Sequence, residues 1–288
     1  MTLPFWISDV CLVAAQATTV ALPARRRIAV LDRLRSRLWG LVPLASIVLV
    51  IFGIRAASNS ANGLTYLALV AIPPLAALAL GALIRRSDPR LALLVVPLFA
   101  LAWADRKGLA GEGAAVALSA LSCVALGVLL VQVAPLGWLK VGIVAMSIAD
   151  TVLVIAQLLQ PANDVLNAAA PGLGLPQLQR ALFGSAVIGY GDLFVAGVFG
   201  AIVAAERGRQ GAAARLTLLL ALAFDLLFFA VDLLPATVPV ALALVLRELR
   251  SRRAAPTRLG PSRRRRALRA GSPGAATTIP RGRGAPAS

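Results

Sequence analysis

The sequence predicts an all-α, polytopic membrane protein of about nine helices, and three observations carry that prediction. Of its 288 residues, 59% are hydrophobic, the mean hydropathy is +0.84 and only 14% are charged, whereas a soluble domain is about 25% charged. Nine apolar runs are long enough to cross a bilayer, at about 20 residues each with shorter ones tolerated when tilted or packed inside. The basic residues gather on one set of connecting segments, as the positive-inside bias requires.

The runs fall at roughly 4–22, 38–55, 64–84, 91–104, 113–134, 138–159, 181–204, 213–233 and 235–247. The first has no basic residue before it and Arg25, Arg26 and Arg27 after it. That is the reverse of a secretory signal peptide and predicts a retained first span with the N-terminus outside. Pro73 and Pro74 in the third run and Pro97 in the fourth remove backbone donors and should kink those helices. With the N-terminus outside, 25 of the 29 basic residues fall on the inner side, against Arg55, Arg106, Lys107 and Arg180 outside. The C-terminus is then cytoplasmic, which the prevalence of arginine and alanine places at a bacterial plasma membrane.

Between the sixth and seventh runs, residues 160–179 carry Pro161, Asn163, Asp164, Asn167, Pro171, Gly172, Gly174 and Pro176. This stretch is too polar and broken to span, and reads as an external connector or a mobile gate. From Arg250 onward there are eleven arginines and no acid. Residues 1–248 therefore read as the membrane domain and 249–288 as a disordered basic tail, because Arg, Pro, Gly, Ala and Ser cannot bury a core. The Arg263–Arg266 cluster beside the last inner end is expected to meet anionic lipid, with no nucleic acid expected.

Composition narrows the chemistry. There is no histidine, and Cys11 and Cys123 lie in separate runs without C-x-x-C spacing, so zinc sites and Ser/His/Asp or Cys/His catalysis lack their residues. Carboxylates remain for acid–base work. A charge at the centre of a span costs about 2.5–3.5 kcal/mol on insertion scales, so mid-span aspartates are presumed functional. Asp150 lies 12 residues past the inner end of its run and Asp192 11 residues past the outer end of the next. At 1.5 Å per residue these depths are about 18 and 16 Å, near the middle of a core about 30 Å thick. Antiparallel spans would let the two carboxyls face each other and share a proton. Gly189 and Gly191 leave room beside Asp192 for another helix or an extended peptide. Asp225 and Asp9 read as structural hydrogen bonds, and Asp232 as a solvated boundary residue.

At Gly189-Tyr190-Gly191-Asp192 the sequence resembles the Gly-x-Gly-Asp signature of the intramembrane aspartyl proteases, the presenilin and signal-peptide-peptidase group. In that family the other catalytic aspartate lies one helix earlier, which matches Asp150, and a Pro-Ala-Leu motif starts the ninth helix and shapes the active site. Here Pro235, Ala236 and Thr237 stand in its place, with Pro239 two residues on. Ala149 replaces the family's usual tyrosine before the first aspartate, and Thr237 its leucine. The resemblance covers runs six to nine and makes 138–159, 181–204 and 235–247 the catalytic helices. It implies a presenilin-like fold and peptide-bond hydrolysis in transmembrane segments or signal peptides, with no metal or organic cofactor. Two prolines four apart should make residues 235–239 an irregular lead-in beside Asp192, whose unpaired carbonyls meet a substrate's N–H groups. The charge-derived orientation is that of signal peptide peptidase, and favours substrates with a cytoplasmic N-terminus. A type IV prepilin peptidase would continue Gly-Asp-x-Lys, but Leu193 and Phe194 follow here. A proton-coupled transporter and a non-catalytic membrane scaffold are the other readings.

Overall fold

A computed structural model describes residues 3–43, 45, 60–156, 172–231 and 234–254. Most of the second run, the end of the sixth run and the first part of the polar connector (157–171), residues 232–233 including Asp232, and the tail from 255 lie outside the described residues. The compact unit that concerns the site is Met1–Glu248.

Helix α1 spans Phe5–Ala21, starting after Pro4 and ending just before Pro23. Thr18 and Thr19 turn their hydroxyls back to the carbonyls of Ala14 and Ala15 at 2.7 and 2.8 Å, which lets polar side chains sit in an apolar helix. Helix α2 (Ser60–Leu78) contains Pro73 and Pro74, and widens into a π turn over Ala79–Leu83. Asp88 accepts from the Arg90 N–H at 2.8 Å and opens a 3-10 turn, Pro89–Leu94, that becomes α3 (Val95–Ala104). Pro97 thus falls where a 3-10 turn gives way to α-helix. Helices α4 (Leu109–Val133) and α5 (Leu136–Ile155) follow, separated by Ala134 and Pro135.

The seventh run departs from expectation. Residues 181–204 are not one helix: Arg180–Phe183 (β1) and Ala186–Gly189 (β2) form an antiparallel hairpin, and α6 begins at Tyr190 and ends at Ala205. Phe183 pairs with Ala186, so Gly184 and Ser185 form a two-residue loop, with Gly184 at φ +61°. A glycine first in such a loop supplies the positive φ that matches the strands' twist. The tip is tied down by polar groups: the Gly184 N–H donates to Glu112 Oε2 at 2.7 Å, and Ser185 Oγ donates to the Leu3 carbonyl at 2.9 Å. Helix α7 (Gln210–Asp225) runs into a 3-10 turn, Leu226–Phe229, and α8 covers Thr237–Ala254.

The described chain is mostly helical. Four of its helices are long and apolar enough to cross a membrane: α2 with its π turn, α4, α5, and α7 with its 3-10 turn. Three shorter apolar helices are α1, Pro89–Ala104 and α6. At the centre lies α6, whose residues Leu193 to Ala204 are all buried. A helix apolar all round belongs inside a bundle, and α6 packs mainly on α4 and α1. It crosses α4 closely, where a Cβ on Gly127 would strike the Gly197 carbonyl and a Cβ on Gly197 the Cys123 carbonyl. Small residues let the two backbones touch there.

Candidate active site

Because α6 starts at Tyr190, Asp192 is the third residue of a helix rather than the middle of one. The depth argument from a continuous span therefore does not hold for it. Its place is set by the hairpin and the helix start: Asp192 Oδ2 accepts the Gly189 N–H at 3.0 Å, across the first turn. A carboxylate there also meets the positive end of the helix dipole. A Cβ on Gly189 would lie 2.8 Å from that oxygen, so the first glycine of the motif makes room for the aspartate to fold back. Gly191 faces Met146 of α5, one turn before Asp150.

Asp150 is 8% exposed on α5, and its Oδ2 accepts from the Thr237 hydroxyl at 2.7 Å. Thr237 is the first residue of α8 and is itself buried. The position at which the chain departs from Pro-Ala-Leu thus supplies a hydrogen bond to the first aspartate. Asp150 and Asp192 lie near enough for their charges to act on each other. Asp150, buried on α5, and Asp192, half-buried at the start of α6, thus lie in one neighbourhood, with Thr237 at the start of α8 against Asp150.

The lead-in to α8 is irregular, with Pro235 and Ala236 outside the helix and Pro239 buried in its first turn. Its carbonyls are already engaged. The Val238 N–H donates to the Pro235 carbonyl at 3.1 Å, and Gln16 Nε2 donates to the Ala236 carbonyl at 3.1 Å. The expected docking of a substrate on free carbonyls at these two residues is therefore corrected. Gln16 is the residue that sequence reasoning missed. It is 1% exposed on α1 and also reaches the Asp192 carbonyl at 3.5 Å, so one amide clamps the lead-in of α8 against the start of α6. A glutamine inside the first apolar run was the available signal. Tyr190 points elsewhere: its hydroxyl meets Ser122 of α4 at 2.8 Å, which anchors α6 and leaves the two aspartates alone.

At the opposite end of these helices, an ionic network joins the three elements that build the site. Lys140 of α5 contacts Glu206 at 2.5 Å and Glu248 at 2.6 Å; Arg247 of α8 contacts the same two carboxylates at 2.6 and 3.4 Å. Glu206 directly follows α6. Burial alone would raise its carboxyl, but the hydrogen bonds and charges of Lys140 and Arg247 outweigh it and hold it below the usual glutamate value.

A second carboxyl pair lies between α1 and the end of α7, where Asp9 and Asp225 come within hydrogen-bonding reach of each other. Such a bond needs one proton between them. Beside it Phe5 meets Phe228 edge-on at 5.3 Å and Trp6 stacks on Phe229 at 5.1 Å, an arrangement suited to a membrane–water interface. Among the described residues no three acidic or thiol side chains gather where they could hold a metal ion. Comparisons with protein-family models, curated proteins and solved structures return no match.

Proposed function

We propose that the protein is an intramembrane aspartyl protease, hydrolysing peptide bonds in transmembrane segments or signal peptides through Asp150 and Asp192. The observation that carries this reading is the nearness of Asp150 on α5 to Asp192 at the start of α6, with the proline-led start of α8 bonded to Asp150 through Thr237. The ionised member draws a proton from water as the oxygen attacks the peptide carbonyl; the protonated member donates to the carbonyl oxygen as charge develops on it. The two then exchange protonation states as the amine leaves. Thr237 holds the Asp150 carboxyl in one orientation, and the Gly189 N–H does the same for Asp192.

A helical substrate must unwind before its carbonyl is reached. The β1–β2 hairpin leads directly into Asp192 and, two-stranded among the described residues, offers strand edges to which an extended peptide can add. In this reading the chain crosses the membrane nine times in a presenilin-like arrangement, with the N-terminus outside and the C-terminus cytoplasmic, and favours substrates with a cytoplasmic N-terminus. The test is to incubate the purified protein with a transmembrane peptide, with and without Asp192→Ala, and read products by mass spectrometry. Defined products with the wild type and none with the variant support the proposal; identical products from both overturn it.

A further inference from the structure

Away from the aspartates, four arginines from three separate parts of the chain converge on one groove. Arg25 and Arg26 follow α1, Arg85 follows the π turn of α2, and Arg207 follows α6, and together they line a space of about 490 Å³. None of the residues lining it carries a carboxylate. The nearest acid in sequence, Glu206, is engaged with Lys140 and Arg247. Four like charges around one groove repel unless an anion lies among them.

The groove is held together by short backbone links. The Ala24 N–H donates to the Leu83 carbonyl at 2.7 Å and the Arg85 N–H to the Leu22 carbonyl at 3.2 Å, which fixes Arg85 beside Arg25. Gln210, 3% exposed, donates to the Pro23 carbonyl at 2.6 Å and reaches the Gly200 carbonyl at 3.4 Å, tying the same segment to α6. Arg207 has φ +57°, and among the described residues no other non-glycine has a positive φ. Glycine would adopt that conformation without cost. An arginine held there aims a guanidinium that glycine lacks, and strain of this kind collects at ligand clamps.

We propose that this groove is a binding site for a phosphate oxyanion, presented either by an anionic phospholipid headgroup or by a soluble phosphate. Planar guanidinium groups bind phosphate oxygens in bidentate fashion, and the groove lies at helix ends, where headgroups meet a membrane protein. The site stands whether or not the aspartates cleave peptides.

The test uses the full chain in nanodiscs of phosphatidylcholine alone or with added phosphatidylglycerol, and separately with inorganic pyrophosphate, following thermal unfolding and affinity. Phosphatidylglycerol raising the Tm of the wild type assigns the lipid source, and pyrophosphate doing so in neutral lipid assigns the soluble source. In the Arg25→Gln/Arg85→Gln/Arg207→Gln triple variant the affinity should fall roughly 100-fold. If the triple variant does not fold, Lys at the same three positions decides: it keeps the charges, loses the bidentate geometry, and should bind about tenfold more weakly. Stabilisation of the wild type by neither anion, or undiminished binding by the groove variants, would overturn the proposal.

Discussion

Asp150 and Asp192 each accept a hydrogen bond from a group that is not a carboxyl, Thr237 and the Gly189 N–H, whereas Asp9 and Asp225 lie within hydrogen-bonding reach of each other. The first pair comes from helices whose neighbours supply a broken helix start, a hairpin and a clamping amide. The second joins α1 to the end of α7, with an aromatic cluster beside it and one oxygen on each carboxyl without a hydrogen-bond partner. Both pairs stand in apolar helices, so apolar setting alone does not mark a reactive carboxyl. What separates them is where each carboxyl finds its partner: outside the pair for Asp150 and Asp192, within the pair for Asp9 and Asp225. A pair that shares its own proton is closed, while a pair held by outside donors leaves its members free to act on a third group, as the proposed protease reaction requires.

The sharpest way to break this contrast is to neutralise each aspartate in turn. Asp150→Asn or Asp192→Asn should lower cleavage at least about 1000-fold, since neither carboxyl performs both proton transfers alone. Asp9→Asn and Asp225→Asn should stay within a few-fold of wild type when rates are compared at equal folded protein, with product quantified by mass spectrometry. Next comes the clamp. Gln16→Leu leaves the Ala236 and Asp192 carbonyls without that donor, a loss of about 1–3 kcal/mol. It should appear as a roughly tenfold or greater fall in kcat; an unchanged kcat would show that the clamp does not position the site.

For the closed pair the expected effect is on stability. Asp225→Leu strands Asp9 and should cost about 1–3 kcal/mol in unfolding experiments, while the Asp9→Leu/Asp225→Leu double variant recovers much of it, because removing both partners removes the unmet demand. Additive losses would show that the two carboxyls do not interact.

The smallest effect concerns the ionic network, which serves the open pair from its far end. The folded-state carboxyl of Glu206 is held below its ordinary value, so its contribution is present at neutral pH and is lost as pH falls through the glutamate range and past the folded value. The Tm difference between wild type and Glu206→Gln should therefore shrink on acidification. A difference that grows instead would mean the carboxylate is not stabilised by Lys140 and Arg247.

Much of the bundle was legible because apolar run length maps onto helix length: the runs at 4–22, 64–84, 113–134 and 138–159 match α1, α2 with its π turn, α4 and α5 within a few residues. The run at 181–204 was not, since a short β-branched stretch and a buried helix look alike in hydropathy. Its Gly184-Ser185 loop was the readable sign of a hairpin. Asp150, Asp192 and Thr237 were singled out by motif and position, but the bond between Thr237 and Asp150 was not, because 87 residues separate them. The same holds for Gln16 and Ala236, 220 apart, and for the network of Lys140, Glu206, Arg247 and Glu248. Partners so distant in sequence are chosen by the packing of whole helices, which no local pattern encodes.

The most direct test of the distinction between open and closed pairs is binding of a transmembrane peptide whose scissile bond is replaced by a hydroxyethylene unit. Such a mimic of the tetrahedral transition state sits between two aspartates only if they share the reacting space. Wild type, Asp9→Asn and Asp225→Asn should bind it with similar affinity, and Asp150→Asn and Asp192→Asn should each lose at least about tenfold. Equal binding by all five proteins, or a loss confined to Asp9 and Asp225, would contradict the assignment of Asp150 and Asp192 as the catalytic pair.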